Sequence, residues 1–393
     1  MRENWKYKPL GEICDFISGF TPSKQELNEK AGIPYFKVSD MNRDTNSVYM
    51  IETELFVVHP RKTIPANSII FPKNGGAIFT GKKRILKYDS IIDLNTEALN
   101  IKDKNVNLQF LYTFLLGVDF GQFDNGGGLP SINIKKMKDF IVPVPPLPEQ
   151  ERIVSYLDAE FAKIDALKAN IEQQLQASKD LFQSALKELL TPQKGWDEKK
   201  LGEIVNIKRG LTYSKNDEVE TSEKIVLRSN NVNLDNHQFD FTELKYLKPS
   251  FDIPADKYLQ KGDLLMCMSN GSKAHLGKVA LYEGDSNRYA FGGFMAALSH
   301  KDSVIGRYLF YAMITPMYKE YIKTLSDGAN INNLKVRDIE SYSISFPSLQ
   351  EQREIVAILD SLSEKVKALQ ENYNKALVLC NDLKQSLLKS IFE

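Results

Sequence analysis

Two stretches of the chain place apolar residues three or four apart, alternating in the second and weakened at Ser178 and Ala185 in the first. The first runs through Ile153, Leu157, Phe161, Ile164, Leu167, Ile171, Leu175, Leu181 and Leu189. The second runs through Ile355, Leu359, Leu362, Val366, Leu369, Tyr373, Ala376, Cys380, Leu383 and Leu387. This spacing gathers the apolar side chains on one helical face and predicts coiled-coil seams. Pro145, Pro146 and Pro148 mark the start of the first helix and Pro192 stops it, while Ser348 with Glu351 forms a capping-box start for the second. Each helix covers about 43 residues, roughly 64 Å at 1.5 Å per residue. Neither can bury its seam alone, so the simplest solution is an antiparallel pair within the chain. The segments before each helix lack this period. Short β-rich runs such as Ser68–Phe71 and Asp263–Met268 are bounded by Gly, Asn and Pro, and a helical stretch near Phe110–Leu116 recurs near Tyr308–Ile314. The expected fold is α+β: two mixed α/β units, 1–147 and 191–349, each followed by a long helix, 148–190 and 350–393.

The order unit, helix, unit, helix is a sequence stated twice. Residues 5–21 and 196–212 match without a gap at 8 of 17 positions: Trp5/Trp196, Lys8/Lys199, Leu10/Leu201, Gly11/Gly202, Glu12/Glu203, Ile13/Ile204, Gly19/Gly210 and Thr21/Thr212. Lys37–Asn42 then faces Arg228–Asn233, Gly81-Lys82 faces Gly277-Lys278, and Leu147–Asp158 faces Leu349–Asp360 with 7 of 12 identities. The offset grows from 191 at Trp5/Trp196 to 202 at Leu147/Leu349, so the second unit is longer.

Composition narrows the function by subtraction. Lys plus Arg and Asp plus Glu are 51 each, which removes net positive charge as an argument for nucleic-acid binding but leaves room for local basic patches. By segment the balance is +3 for 1–147, −3 for 148–190, +1 for 191–349 and −1 for 350–393. Positive charge therefore lies on the units and negative charge on the helices. No apolar run approaches the ~20 residues of a membrane span and no secretory leader is visible, so a cytoplasmic location without membrane partners is expected. Cys14, Cys267 and Cys380 form no CxxC pair and sit in apolar surroundings, and His59, His237, His275 and His300 are not at metal-ligand spacing. No metal site is predicted. Gly76–Lys83 nearly matches a phosphate-binding loop, but Lys83 stands where Ser or Thr would hold magnesium. No methyltransferase signature and no nucleophile-containing triad is present, so no catalytic residue and no cofactor are assigned to the chain.

What remains are polar, glycine-punctuated loops at matched places. In the first unit the candidates for DNA contact are Lys37, Asn74, Lys82, Lys83, Arg84, Asn133 and Lys135. In the second they are Arg228, Asn231, Asn270, Lys273, Lys278, Asn332 and Lys335. Such side chains suit hydrogen bonding to phosphates and base edges. Lys37 and Arg228 end matched β-like runs, with Asp40 and Asn231 three residues on.

The unit opening LGEI (Leu10–Ile13, Leu201–Ile204), the central Gly-Lys, and the PPLPEQERIV and PSLQEQREIV junctions resemble the specificity (S) subunits of type I restriction–modification systems. The resemblance covers nearly the whole chain. It implies two target-recognition domains, each reading half of a split site in double-stranded DNA, and two spacer helices. The helices would dock methyltransferase (M) subunits, two by expectation, within a complex that includes restriction (R) subunits. Glu149, Gln150, Ile153 and Leu157, with Glu351, Gln352, Ile355 and Leu359, are the expected docking residues. S-adenosylmethionine, ATP and magnesium are expected on the partner subunits and none on this chain. A self-contained methyltransferase or nuclease, and a coiled-coil scaffold without DNA binding, are the alternatives.

Overall fold

A computed structural model of the chain describes residues 4–58, 60–327 and 332–392. His59 and residues 328–331 of the Asp327–Lys335 loop lie outside the described residues. The chain divides into two compact units, one formed by Met1–Ile171 with Lys375–Glu393 and the other by Glu172–Asn374. Each unit therefore contains one globular part, one half of the first long helix (Leu147–Leu189) and one half of the second (Leu349–Phe392).

In the first unit the main sheet has the order Cys14–Ser18, Thr96–Ile101, Ile69–Pro72, Arg84–Leu86, Tyr49–Met50. A second sheet joins Leu27–Asn28, Phe56–Val57, Ile33–Phe36 and Ile91–Ile92. Lys6–Pro9 pairs with Ile141–Val144, which brings the start of the unit to the start of the long helix. The second unit repeats this plan with Val205–Arg209, Met295–His300, Leu264–Cys267 and Val279–Leu281, and closes with Asp197–Lys200 on Ser343–Phe346. Both copies of LGEI form one helical turn whose Leu and Ile (Leu10, Ile13; Leu201, Ile204) are buried in the core.

The repeated Gly19 and Gly210 have a steric cause. A Cβ on Gly19 would stand 2.0 Å from Asp93 O, and one on Gly210 would stand 2.1 Å from Gly292 O. At both places two backbone segments cross so closely that no side chain fits. The units differ in two respects. Tyr49–Met50 adds a parallel strand to Arg84–Leu86 in the first unit, whereas Val279–Leu281 is an edge strand among the described residues. The second unit also has a 12-residue helix, Pro316–Asp327, where the first has only the short turn Phe120–Phe123.

The long helices pair antiparallel within each unit. In the first, Ile153 and Leu157 share a cluster with Leu388, and Lys384 reaches Asp165 at 2.5 Å. In the second, Leu186 shares the core with Ile355 and Leu359, and Tyr373 donates to Gln174 at 3.0 Å. The seam departs from the predicted one: Leu167, Leu181, Leu369 and Leu383 are exposed, while Leu186 and Leu388 are buried. One heptad row stays buried, through Leu157, Ile164, Ile171 and Ser178 on the first helix and Leu359, Val366 and Cys380 on the second, while the other row of the predicted stripe, buried at Ile153 and Ile355, faces solvent at Leu167, Leu181, Leu369 and Leu383.

Candidate nucleic-acid interface and subunit-docking helices

The three polar segments singled out in each unit converge. In the first unit the turn after Ile33–Phe36 begins at Lys37, whose backbone N–H donates to Asp40 Oδ2 (2.8 Å). Lys82 hydrogen-bonds Asn42, and Arg84 donates to Met41 O (3.1 Å) from the neighbouring segment. Asn74 bridges Ser131, and Gly75 N donates to Pro130 O (2.8 Å), which brings in the Asn125–Asn133 loop. In the second unit Arg228 N donates to Asn231 Oδ1 (2.9 Å), Asn270 Nδ2 donates to Ser229 Oγ (2.8 Å), and Asn332 Nδ2 donates to Gly271 O (2.8 Å). Segments about 40 to 100 residues apart in sequence thus form one polar surface, twice.

Within that surface the structure separates side chains that face outward from those used internally. Lys37, Lys135, Lys273 and Lys335 are exposed, and Asn74, Lys82, Asn270, Asn332 and Arg228 are half-buried. Four candidates are corrected. Lys83 is buried: its ammonium donates to Val118 O (2.8 Å) and lies 4.1 Å from the Phe120 ring centre. Lys278 is buried with its ammonium on Ser229 O (2.7 Å) and Val232 O (2.6 Å). The Arg84 guanidinium is spent on the carbonyls of Met41, Asn46 and Lys83. Asn231 is buried and donates to Asp240 O (2.9 Å) and Glu243 O (2.8 Å). These four hold the loops in place: Lys83, Lys278 and Asn231 are buried, and three donors of the half-buried Arg84 are occupied. Asn133 caps the helix Ile134–Lys138 through Lys136 N (2.9 Å). Gly81 and Gly277 adopt matching left-handed conformations (φ 67° and 70°), which accounts for the repeated glycine.

Two cations stand out in the second unit. The Nε of Arg228 and an Nη of Arg209 are buried with no hydrogen-bond partner among the described residues. Arg228 lies where its charge acts on the Tyr213 hydroxyl, which burial raises above its usual range. His275 is half-buried, its Nδ1 has no hydrogen-bond partner among the described residues, and desolvation followed by the Lys278 charge lowers its pKa. His237 is buried, donates to Val279 O (3.2 Å) and is held down to about 4 by desolvation. Burial pushes the Cys14 thiol up to about 12 and raises that of Cys267, so neither is a ready nucleophile. Among the described residues no group of three or more His, Cys, Asp or Glu could hold a metal, and no helix is long and apolar enough to cross a membrane.

Burial lowers the Lys83 ammonium to about 8 from 10.5. Between those values the folded chain binds fewer protons than the unfolded chain, so stability rises with pH across that window. Below pH 8 the buried charge costs about 3 kcal/mol, to order of magnitude. Lys83→Met should remove this slope: the stability difference between wild type and variant, from urea unfolding at pH 7.5 and 10.5, should shift by that amount in favour of wild type. An identical difference at both pH values would contradict it.

The expected docking residues on the helices also turn inward. Gln150 is fully buried: its Nε2 donates to Asn105 O (2.7 Å) and Pro145 O (2.8 Å), and its Oε1 accepts from Asn107 N (2.8 Å). Gln352 repeats this with Ser303 O (3.3 Å), Pro347 O (2.9 Å) and Ile305 N (2.9 Å). Ile153, Leu157, Ile355 and Leu359 are core residues. The junction motif therefore clamps each helix start to its own unit and presents these six residues to no partner. Glu149 and Glu351 are half-buried, the first accepting from Arg152 (2.7 Å) and the second from Trp196 Nε1 (3.2 Å). Exposed apolar residues on the helices include Tyr156 and Leu167 in the first unit and Ile358 and Leu369 in the second. The two pairs correspond at the offset of 202, and the spacing of 11 residues returns each pair to one face within about 20°.

Comparison with known proteins agrees with this plan. The chain is 20% identical over 425 residues to the EcoBI specificity subunit of Escherichia coli, covering all of this chain and 86% of that one. It is 23% identical to the MjaVIII specificity subunit of Methanocaldococcus jannaschii, covering 95% and 90%. A chain from a solved type I R-M system shares the fold, with a TM-score of 0.78 at 20% identity over 100% and 98% of the two chains. The family described as type I restriction modification DNA specificity domain matches twice, at residues 2–177 and 193–377, once for each copy of the repeat. With nearly every residue inside one of those two matches, the chain belongs to the type I restriction–modification DNA specificity family.

Proposed function

We propose that the chain is the non-catalytic specificity subunit of a type I restriction–modification complex. Each unit reads one half of a bipartite site in double-stranded DNA through its three converging polar segments. The observation that carries this reading is that convergence, built twice from segments far apart in sequence, with Lys37, Lys135, Lys273 and Lys335 left exposed around it. Exposed lysines position a duplex through its phosphates, and the half-buried Asn and Arg side chains suit base edges. Base modification and cleavage belong to partner M and R subunits, which carry S-adenosylmethionine, ATP and magnesium. Co-expression with a type I M subunit, followed by mapping of modified adenines, tests the reading. A two-part motif with a fixed gap supports it, and modification without sequence preference contradicts it.

The matched apolar stripes extend the reading to the partners. Two equivalent faces, Tyr156–Leu167 in the first unit and Ile358–Leu369 in the second, fit two copies of the same M subunit. Because these side chains are exposed, Leu167→Asp and Leu369→Asp should leave the melting temperature of the chain unchanged. Each should weaken M binding by about 2 kcal/mol, roughly thirtyfold, the effect typical of a charge placed in an interface core. Calorimetric titration with M checks this, and wild-type affinity for both variants would contradict the assignment.

A further inference from the structure

Phe294 is 71% exposed at the tip between the strands Tyr289–Phe291 and Met295–His300. Its backbone is nevertheless fixed. Its carbonyl accepts from Met268 N (2.8 Å) and Ser269 N (3.1 Å), and Met295 N donates to Gly292 O (2.8 Å). The crossing at Gly210 holds the same tip from the other side. Ser269 leads directly into the polar surface: its hydroxyl donates to Asn332 O (3.1 Å), and the next residue, Asn270, donates to Ser229 Oγ. A large apolar ring thus stands in water beside the junction of three polar segments, on backbone that cannot fold it away. The first unit fixes the matching tip in the same way but carries a polar residue there. There the carbonyl of Asn95 accepts from Lys73 N (2.7 Å) in the equivalent position, and the residue before it, Leu94, is the exposed apolar one at 48%.

The edges of base pairs in the major groove are polar except for the C5-methyl group of thymine, which side chains such as Phe contact. We propose that Phe294 packs against a thymine methyl in the half-site read by the second unit and specifies an A·T pair at that position. The inference rests on the DNA-reading function proposed above and adds a specificity-determining residue to it.

The test uses the complex of this chain with its M subunits and duplexes carrying its mapped site. Each thymine of the second half-site is replaced in turn by deoxyuridine, which lacks only the methyl group. The wild-type complex should lose about fourfold in affinity at one position, the effect of one buried methyl. Phe294→Ala should bind the specific duplex about tenfold or more weakly. It should also be indifferent to deoxyuridine at that position and hold non-specific DNA as wild type does. Phe294→Leu, which keeps an apolar contact, should regain part of the sensitivity. Equal melting temperatures for the variants exclude misfolding as the cause. A sequence-specific complex that ignores every deoxyuridine overturns the role of Phe294 alone. So does a Phe294→Ala complex that keeps wild-type affinity or loses specific and non-specific binding alike. A complex that binds all duplexes equally overturns the DNA-reading function and this role with it.

Discussion

Gly210→Ala is expected to destabilise the second unit by about 3 kcal/mol or more, and Gly19→Ala the first by a similar amount. The added methyl group of Gly210→Ala would stand 2.1 Å from Gly292 O and 2.4 Å from Phe291 O. Both are backbone atoms and cannot turn aside as a flexible side chain can. The segments must separate, which breaks Gly210 N to Met295 O (3.0 Å) and Leu211 N to Phe291 O (2.9 Å). Gly271→Ala is the control, because none of the described residues lies within 4 Å of its Cβ position and its φ is not left-handed. Denaturant unfolding followed by tryptophan fluorescence should show early loss for the first two variants and a change within about 0.5 kcal/mol for the control. Wild-type stability in Gly19→Ala and Gly210→Ala would contradict the crossing.

Gln352→Leu should cost about 3 kcal/mol, and Gln150→Leu should do the same in the other unit. Leucine nearly preserves the volume, so the loss comes from hydrogen bonding. Ile305 N loses its acceptor, and Ser303 O and Pro347 O lose a donor, in a region from which Gln352 is fully excluded from water. Each buried group left unmade costs about 1–3 kcal/mol. These contacts tie the start of the long helix to the loop before the helix Gly306–Ala312 and to the end of the last strand. Hydrogen exchange should therefore show faster opening at Ile305 and along the first turns from Leu349. A variant with unchanged exchange and a cost under 1 kcal/mol would show that the clamp contributes little.

The repeat, the α+β plan and the two long helices were legible in sequence because they rest on local rules. LGEI reads as one buried turn in both copies, and a period near 3.5 reads as helix. Ser348 accepts from Glu351 N (3.3 Å) as its capping spacing implies. What stayed hidden depends on distant partners. Lys37 and Lys83 are the same residue type in similar polar loops, yet one is exposed and the other caps Val118 O inside the core. Gln150 and Gln352 stand in the most family-specific motif, and a motif does not tell whether its glutamine faces a partner subunit or its own backbone. The outward leucines Leu167 and Leu369 fell inside the predicted seam because periodicity marks both rows of the apolar stripe, and only the row through Ile164 and Val366 is buried there. Phe294 carried one usable signal, the Gly292-Gly293 pair just before a strand, which marks a tight turn with its next residue at the tip.

Independent reading of two half-sites by the two units is the central claim, and a single exchange tests it most directly. Residues 1–147 are replaced by the corresponding unit of another specificity subunit of known motif, the chimera is co-expressed with M, and modified adenines are mapped across the host genome. The account predicts a motif in which one half changes to that of the donor and the other half stays as in the wild type. A motif changed in both halves, or in neither, would contradict it.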